Sequence, residues 1–254
     1  MSVIGVVSMK GGVGKTSTTA NLATALATKL GAGRVSVIDL DPQNGLQWHF
    51  GFNGAQTTGV CEQSLQGENW RTATSASEFD VACLPYGDVG ESDREAFETL
   101  LQDAPDWVGS QITHAKLDDD AVVIIDTPPG PSVYLKQVFA CADLILIVLL
   151  ADAGSYATIP AMESWLDEVS AMHPQLNSVY VLNQVDRTEP LNRDVAELLQ
   201  QHLGARLAPI RIHRDEAVGE ALAFQQPVLV YDPHGQASHD LARLAAWVID
   251  TLNR

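Results

Sequence analysis

Six short runs of apolar, β-favouring residues limit this chain more than any other feature: residues 3–7, 35–38, 81–84, 121–125, 144–150 and 179–182. A strand with one wet face alternates apolar and polar residues. These runs are continuous, as expected of strands covered on both faces. Helical patterns at 17–30, 159–172 and 193–203 lie between them. Strands alternating with helices give a parallel sheet joined by right-handed crossovers. The expected class is α/β: a doubly wound, mostly parallel sheet with helices on both faces. With 254 residues, 46% of them apolar, the chain can bury one large core, and a single domain over 1–254 is expected. The polar stretch 51–77, rich in Gly, Thr and Ser, reads as a surface excursion. Residues 239–252 place Leu241, Leu244, Ala245, Val248 and Leu252 at helical spacing. Their polar side mixes Arg243 with Asp240 and Asp250, unlike the basic face of a membrane-surface helix, so a core-packing last helix is expected.

Immediately after the first run comes Lys10-Gly11-Gly12-Val13-Gly14-Lys15-Thr16-Ser17, leading into a helix. A strand, a glycine-rich turn and a helix form the context in which such a loop binds phosphate. Gly11, Gly12 and Gly14 let the backbone wrap a β-phosphate, where side chains would block approach or forbid the dihedrals. The loop N–H groups and the helix start supply partial positive charge. Lys15 then reaches the β- and γ-oxygens, the Thr16 hydroxyl ligates Mg²⁺ bridging the same phosphates, and Ser17 follows in the first turn. ATP and Mg²⁺ are the expected cofactors.

Charge and cysteine usage narrow the partners. Fifteen Lys and Arg against 32 Asp and Glu give a formal charge of −17, which repels polyanions over about a Debye length, so nucleic acid is not expected as the main partner. Arg187, Arg193, Arg206, Arg211 and Arg214 are interleaved with acidic residues and make no basic patch. Cys61, Cys83 and Cys141 lack the paired spacing of a zinc or redox site and read as reduced structural thiols. No signal peptide and no run of roughly 20 apolar residues is evident, and a cytoplasmic location is expected.

The loop departs from an ordinary P-loop in having Met9 where glycine is usual and in carrying the extra Lys10. That combination resembles the ParA/MinD family of deviant Walker ATPases. Asp39-Leu40-Asp41-Pro42-Gln43 looks like the family's switch I, and Ile124-Ile125-Asp126-Thr127-Pro128-Pro129-Gly130 like its Walker B strand and switch II. Pro209, Asp215-Glu216-Ala217 and Gln226-Pro227-Val228 resemble its C-terminal nucleotide side. The resemblance implies a MinD-like P-loop NTPase fold and a face-to-face homodimer in which Lys10 crosses to the partner's ATP. It also implies that Asn183 and the backbone around Pro209 and Ile210 hold the adenine. Lys10 and Lys15 would stabilise charge on the transferring phosphoryl group. Asp126 would hold a magnesium-bound water and Asp39 would serve the metal's outer shell. Asp41 would position the attacking water, since an ordinary carboxylate of pKa about 3.9 is a weak base. For all three aspartates a cap or turn role is the alternative.

Gly67-Glu68-Asn69-Trp70-Arg71, Leu84-Pro85-Tyr86-Gly87 and Ile212-His213-Arg214-Asp215-Glu216-Ala217, with Glu220 and Leu222, look like the BcsQ (YhjQ) group of bacterial cellulose-secretion operons. This implies an ATP-switched factor that assembles or positions the inner-membrane cellulose synthase complex with accessory proteins, meeting the membrane only indirectly through partners. Two other functions fit the loop. A DNA- or cargo-partition ATPase would share Lys10 and Asp41-Pro42-Gln43; a small-molecule kinase would need an acid–base cluster beside the γ-phosphate that the sequence does not display. Trp70 reads as a packed surface anchor, and His213 as a satisfied structural histidine rather than a contact at a nucleotide edge.

Overall fold

The computed structural model describes residues 1–52, 58–115 and 120–253, and each of the six apolar runs is a strand in it. In chain order the elements are β1 (Ser2–Val7), α1 (Lys15–Leu30), β2 (Val35–Asp39), α2 (Val60–Gln66), β3 (Ser75–Ala76), β4 (Val81–Leu84), α3 (Glu91–Asp103), α4 (Trp107–His114) and β5 (Val122–Asp126). They continue with α5 (Val133–Cys141), β6 (Leu144–Leu150), α6 (Ala153–Met172), β7 (Asn177–Asn183), α7 (Pro190–Leu203), α8 (Ala217–Ala223), α9 (Val228–Tyr231) and α10 (Gln236–Leu252). The sheet order is β3-β4-β2-β5-β1-β6-β7. Every neighbouring pair is parallel except β3 with β4. This is the expected doubly wound α/β fold.

The continuity of the apolar runs has a direct structural counterpart. Along β1, Val3 and Val7 enter one apolar layer with side chains of α2 to α7, while Ile4 and Val6 enter the other with α1 and α10. Both faces of the strand are therefore dry, and each fully buried aliphatic side chain stabilises the fold by about 1.5–3 kcal/mol. Gly5 sits where α5 comes closest: a Cβ there would lie 2.3 Å from Val138 Cγ1. The last helix packs as its spacing predicts, with Leu241, Leu244, Ala245 and Val248 buried and Leu252 packed at the margin of the same layer as α1. Beyond α7 the chain returns along β7. The Ala208 N–H donates to Tyr180 O (2.8 Å) and the Ile212 N–H to Leu182 O (2.9 Å), which carries residues 212–216 to the end of the sheet where the glycine-rich loop lies.

The stretch 51–77 corrects its sequence reading. Residues 53–57 lie outside the described residues, and the remainder is no surface excursion. Val60 and Cys61 of α2 are fully buried, and Trp70 is 2% exposed in a short 3₁₀ turn, its indole N–H donating to Ser64 Oγ at 3.0 Å. The segment looked like a loop because its polar side chains bond within it, as Thr72 Oγ1 does to Gln63 Oε1 at 2.7 Å. Three apolar anchors do the packing. Trp70→Ala should therefore cost about 3–5 kcal/mol in equilibrium unfolding; a loss under about 0.5 kcal/mol, the usual result at an exposed site, would show that the segment is peripheral after all.

Candidate functional site

β1 lies in the interior of the sheet, between β5 and β6, so the loop that follows it opens onto the crevice where strand order reverses, the usual ligand position in such sheets. Gly12 and Gly14 take φ values of 75° and 80°, which L side chains rarely adopt. A Cβ at Gly14 would fall 2.4 Å from Asn183 Nδ2. Asn183 itself donates to Val13 O at 2.8 Å and so pins the loop to the end of β7. No side chain caps α1, leaving the N–H groups of its first turn for a ligand. The loop encloses a cavity of about 220 Å³ whose wall runs from Ser8 through Lys10 to Ser17 and is completed by Asp41, Gln43 and Pro129.

Asp126 lies beneath this cavity, bonded to two of the residues that line it, Lys15 and Thr16. Fully buried, it accepts from Lys15 Nζ (2.9 Å), Thr16 Oγ1 (2.7 Å) and Thr19 Oγ1 (3.1 Å). Lys15 is 6% exposed, so each charge depends on the other for compensation. The two candidate switches are tied to the same strand ends. The Leu40 N–H donates to Asp126 O (2.9 Å), and the Gly130 N–H to Ser8 O (2.8 Å). Asp41 accepts from the Gln43 N–H at 3.0 Å; burial pushes its carboxyl up against the opposing pull of that bond and of Lys15, which makes it a better proton acceptor than the sequence alone allowed. Both oxygens of Asp39 are engaged, by the Asp41 N–H (2.9 Å) and the Leu46 N–H (3.0 Å). Burial, then the nearby Asp126, raise its pKa to about 8. Asp39 thus shapes the turn into the 3₁₀ segment Leu46–Phe50.

Lys10 lies at the rim, about one-third exposed, with Nζ 2.6 Å from Asp152 Oδ2. Partial burial works against the Asp152 charge, yet the Lys10 ammonium and the Ser155 N–H hold its carboxyl below the ordinary carboxylate range. Asp152 caps α6 through that Ser155 N–H (2.6 Å). The sequence reading missed it, although an aspartate between an apolar strand and a helix is a recognisable N-cap signal.

A second cavity, about 580 Å³, adjoins the first at Gly14 and Ser17 and extends past Asn183 and Gln184 to residues 212–216. The structure brings Asn183 to this wall but not Pro209 or Ile210. Ile210 is buried in the apolar layer, and the pairing with β7 carries the chain two further residues before it reaches the cavity. Burial raises the thiols of Cys61 to about 11 and Cys141 to about 12, and Cys83 well above its usual value, as fits packing residues.

The donor set suits a hard cation beside phosphates: a threonine hydroxyl and a carboxylate at bonding distance, with two lysines for anionic oxygens. Among the described residues no group of three or more His, Cys, Asp or Glu is placed to hold a metal. A cation here would therefore complete its shell with phosphate oxygens and water.

A mostly parallel sheet of this order, with a two-lysine glycine loop at the tip of an interior strand, is the P-loop fold of the ParA/MinD type. Residues 1–249 match the family model described as cellulose biosynthesis protein BcsQ, and the chain belongs to that family. It is 29% identical over 250 residues to the cellulose biosynthesis protein BcsQ of Salmonella typhimurium, covering 98% of this chain and 94% of that protein. It is 28% identical over 261 residues to the chromosome partitioning protein ParA of Caulobacter vibrioides, with the same coverage. In fold it is similar to the cell division ATPase MinD of Pyrococcus furiosus (TM-score 0.76, 23% identity, 98% of this chain and 99% of that one). It is also similar to cobyrinic acid a,c-diamide synthase of Mycobacterium smegmatis, solved with an ATP analog and magnesium (TM-score 0.79, 20% identity, 98% and 94%).

His49, 3% exposed in the 3₁₀ segment beside Thr16 and Ser17, provides a test of this packing. Burial lowers its pKa from 6.5 to about 4, against the pull of Asp126. The unfolded chain therefore takes up this proton first as pH falls. The stability it confers is complete above pH 6.5 and is lost between 6.5 and about 4, on the order of 3 kcal/mol. Unfolding curves across that interval should flatten by this amount in His49→Gln relative to the parent, and identical slopes would show that the ring is solvated.

Proposed function

We propose that this protein is an ATP-dependent, dimerising molecular switch that hydrolyses ATP slowly and assists assembly or localisation of the inner-membrane cellulose synthase complex. The observation that carries this reading is the division of labour between the two lysines of one loop. Lys15 is buried on Asp126, where only its own subunit's phosphates can compete for it; Lys10 stands at the rim, where a second subunit can present its phosphates.

The loop N–H groups from Gly11 to Ser17 and the start of α1 receive the phosphate oxygens. Lys15 exchanges part of its bond to Asp126 for the β- and γ-oxygens. Thr16 and Asp126 would hold magnesium, Asp39 supporting from behind, and the bound cation would neutralise charge on the phosphate oxygens. Asp41, its basicity raised by burial, would orient the attacking water by accepting a hydrogen bond from its O–H. Lys10 leaves Asp152 to stabilise the charge developing on the partner's phosphoryl group, so turnover requires the homodimer. Asn183 and the wall beyond it hold the base.

The cellulose role draws on the family match and on the BcsQ relatives of Salmonella typhimurium. Accessory proteins of the complex are the expected partners. Contact with the membrane would be through them; no helix among the described residues is long and apolar enough to cross a membrane. A ParA-like partition role has support from the Caulobacter vibrioides relative, and the −17 charge opposes it. Deleting the gene should lower or misplace cellulose, with rescue by the parent gene but not by Lys15→Ala. Normal cellulose, together with ATP-dependent, salt-sensitive retention on DNA, would transfer the assignment to partition. In the purified protein, Asp41→Ala should cut ATP turnover by at least about a hundredfold while ATP affinity stays within a few-fold; unchanged turnover would remove Asp41 from the mechanism.

A further inference from the structure

The three side chains that donate to Asp126 divide between its two oxygens. Oδ2 accepts from Thr16 Oγ1 at 2.7 Å, whereas Oδ1 accepts from Lys15 Nζ at 2.9 Å and from Thr19 Oγ1 at 3.1 Å. Lys15 and Thr16 end the glycine-rich loop; Thr19 lies about one turn further along α1 and is fully buried. A hydroxyl has one hydrogen to give, and Thr19 Oγ1 has two acceptors at 3.1 Å, Asp126 Oδ1 and Lys15 O. Thr18, Thr24 and Thr28 give theirs to the carbonyl four residues back. At Thr19 the choice falls differently. As a helical carbonyl, Lys15 O already receives the N–H of the residue four positions on, and a carboxylate forms the stronger, charge-assisted bond. Asp126 is as fully buried as Thr19, so water does not compete and the hydrogen goes to Oδ1.

These donors part company when a triphosphate enters. Lys15 turns to phosphate oxygens and gives up Oδ1. The Thr16 hydroxyl can offer a lone pair to a cation and keep its hydrogen on Oδ2. Oδ1 then retains Thr19 alone of its two donors, and that bond is what stops the carboxylate from rotating away from Thr16. We propose that Thr19 is a positioning residue for magnesium: its hydroxyl anchors Oδ1 of Asp126 and so keeps Oδ2 beside Thr16, available to the cation or to a water on it. Carboxylates that serve a metal are themselves held by outer hydrogen bonds, and loss of such a partner costs about 10–100-fold in metal affinity. The assignment rests on the nucleotide site proposed above and adds to it a residue outside the glycine-rich loop and both switches. It also accounts for a hydroxyl at a position of α1 from which water is excluded.

The test is equilibrium binding of ATP in EDTA and at saturating free Mg²⁺, measured by calorimetry on the parent protein, Thr19→Val and Thr19→Ser. Valine keeps the shape of threonine and removes the donor; serine keeps the donor. In the parent, Mg²⁺ should tighten ATP binding. Thr19→Val should cut that gain by at least about tenfold while ATP affinity in EDTA stays within about threefold of the parent, and Thr19→Ser should recover most of the gain. Thr19→Ala carries the same expectation as valine and decides the matter if Thr19→Val does not fold. A threonine that served only packing would, when replaced, weaken ATP equally with and without the cation; that result, or a parent-like gain in Thr19→Val, overturns the proposal and leaves the nucleotide site intact. A parent protein that binds ATP with no gain from Mg²⁺ overturns the proposal by removing the cation from Asp126. Failure of the parent to bind ATP under either condition overturns the nucleotide site and this proposal with it.

Discussion

The buried ion pair between Lys15 and Asp126 is the interaction on which the rest of the site depends. Two charges that close to fully withdrawn from water persist only when each is matched, and leaving one unpaired costs about 3–5 kcal/mol. Asp126 meets this condition with Lys15, Thr16 and Thr19. The arrangement joins the end of β5 to the first turns of α1, bringing the candidate metal-binding and phosphate-binding groups together. In the proposed role, an incoming triphosphate would compete for Lys15 with a partner already in place, so binding would redistribute existing contacts more than create new ones. Leu40 and Asp39, in the candidate switch I, belong to the same hydrogen-bonded strand ends as Asp126, so a change at Asp126 would reach them directly.

The double-sided burial of the sheet makes this pair possible. With apolar layers from α1 and α10 on one face and α2 to α7 on the other, β1 and β5 end in a dry interior, and only their carboxyl ends open to ligand. The same layering sets the scale of movement available. The framework around Asp126 is rigid, whereas Lys10 at the rim is held by one part-exposed ion pair, a contact whose net contribution is small in water. A rigid floor with a loosely held lysine at its edge is a suitable geometry for a switch read by a second subunit.

Much of this was legible in the sequence because its signals are local. Continuous apolar runs disclosed the two-sided strands, and Gly-x-Gly-Lys-Thr after the first run disclosed the loop with its lysines. The signals that failed were those that need the third dimension. Trp70 itself reads as a packed anchor, but the polar residues around it bond to one another, so the burial of Val60 and Cys61 in the same stretch leaves no local mark. Asp152 meets Lys10 across 142 positions, and His213 meets Asp240 across 27; neither pairing has a periodicity to read. The resemblance implied that Pro209 and Ile210 hold the adenine; the pairing with β7 brings residues 212–216, and not these two, to the wall of the larger cavity.

Light scattering with Mg²⁺-ADP and with Mg²⁺-ATP, on the intact protein and on Lys10→Ala, bears most directly on the two-lysine switch. The expected result is a molar mass that doubles with ATP and not with ADP, and a doubling that Lys10→Ala weakens or abolishes. A mass indifferent to nucleotide, or one that doubles equally well without Lys10, would contradict the account and reduce the rim lysine to a partner of Asp152 within its own subunit.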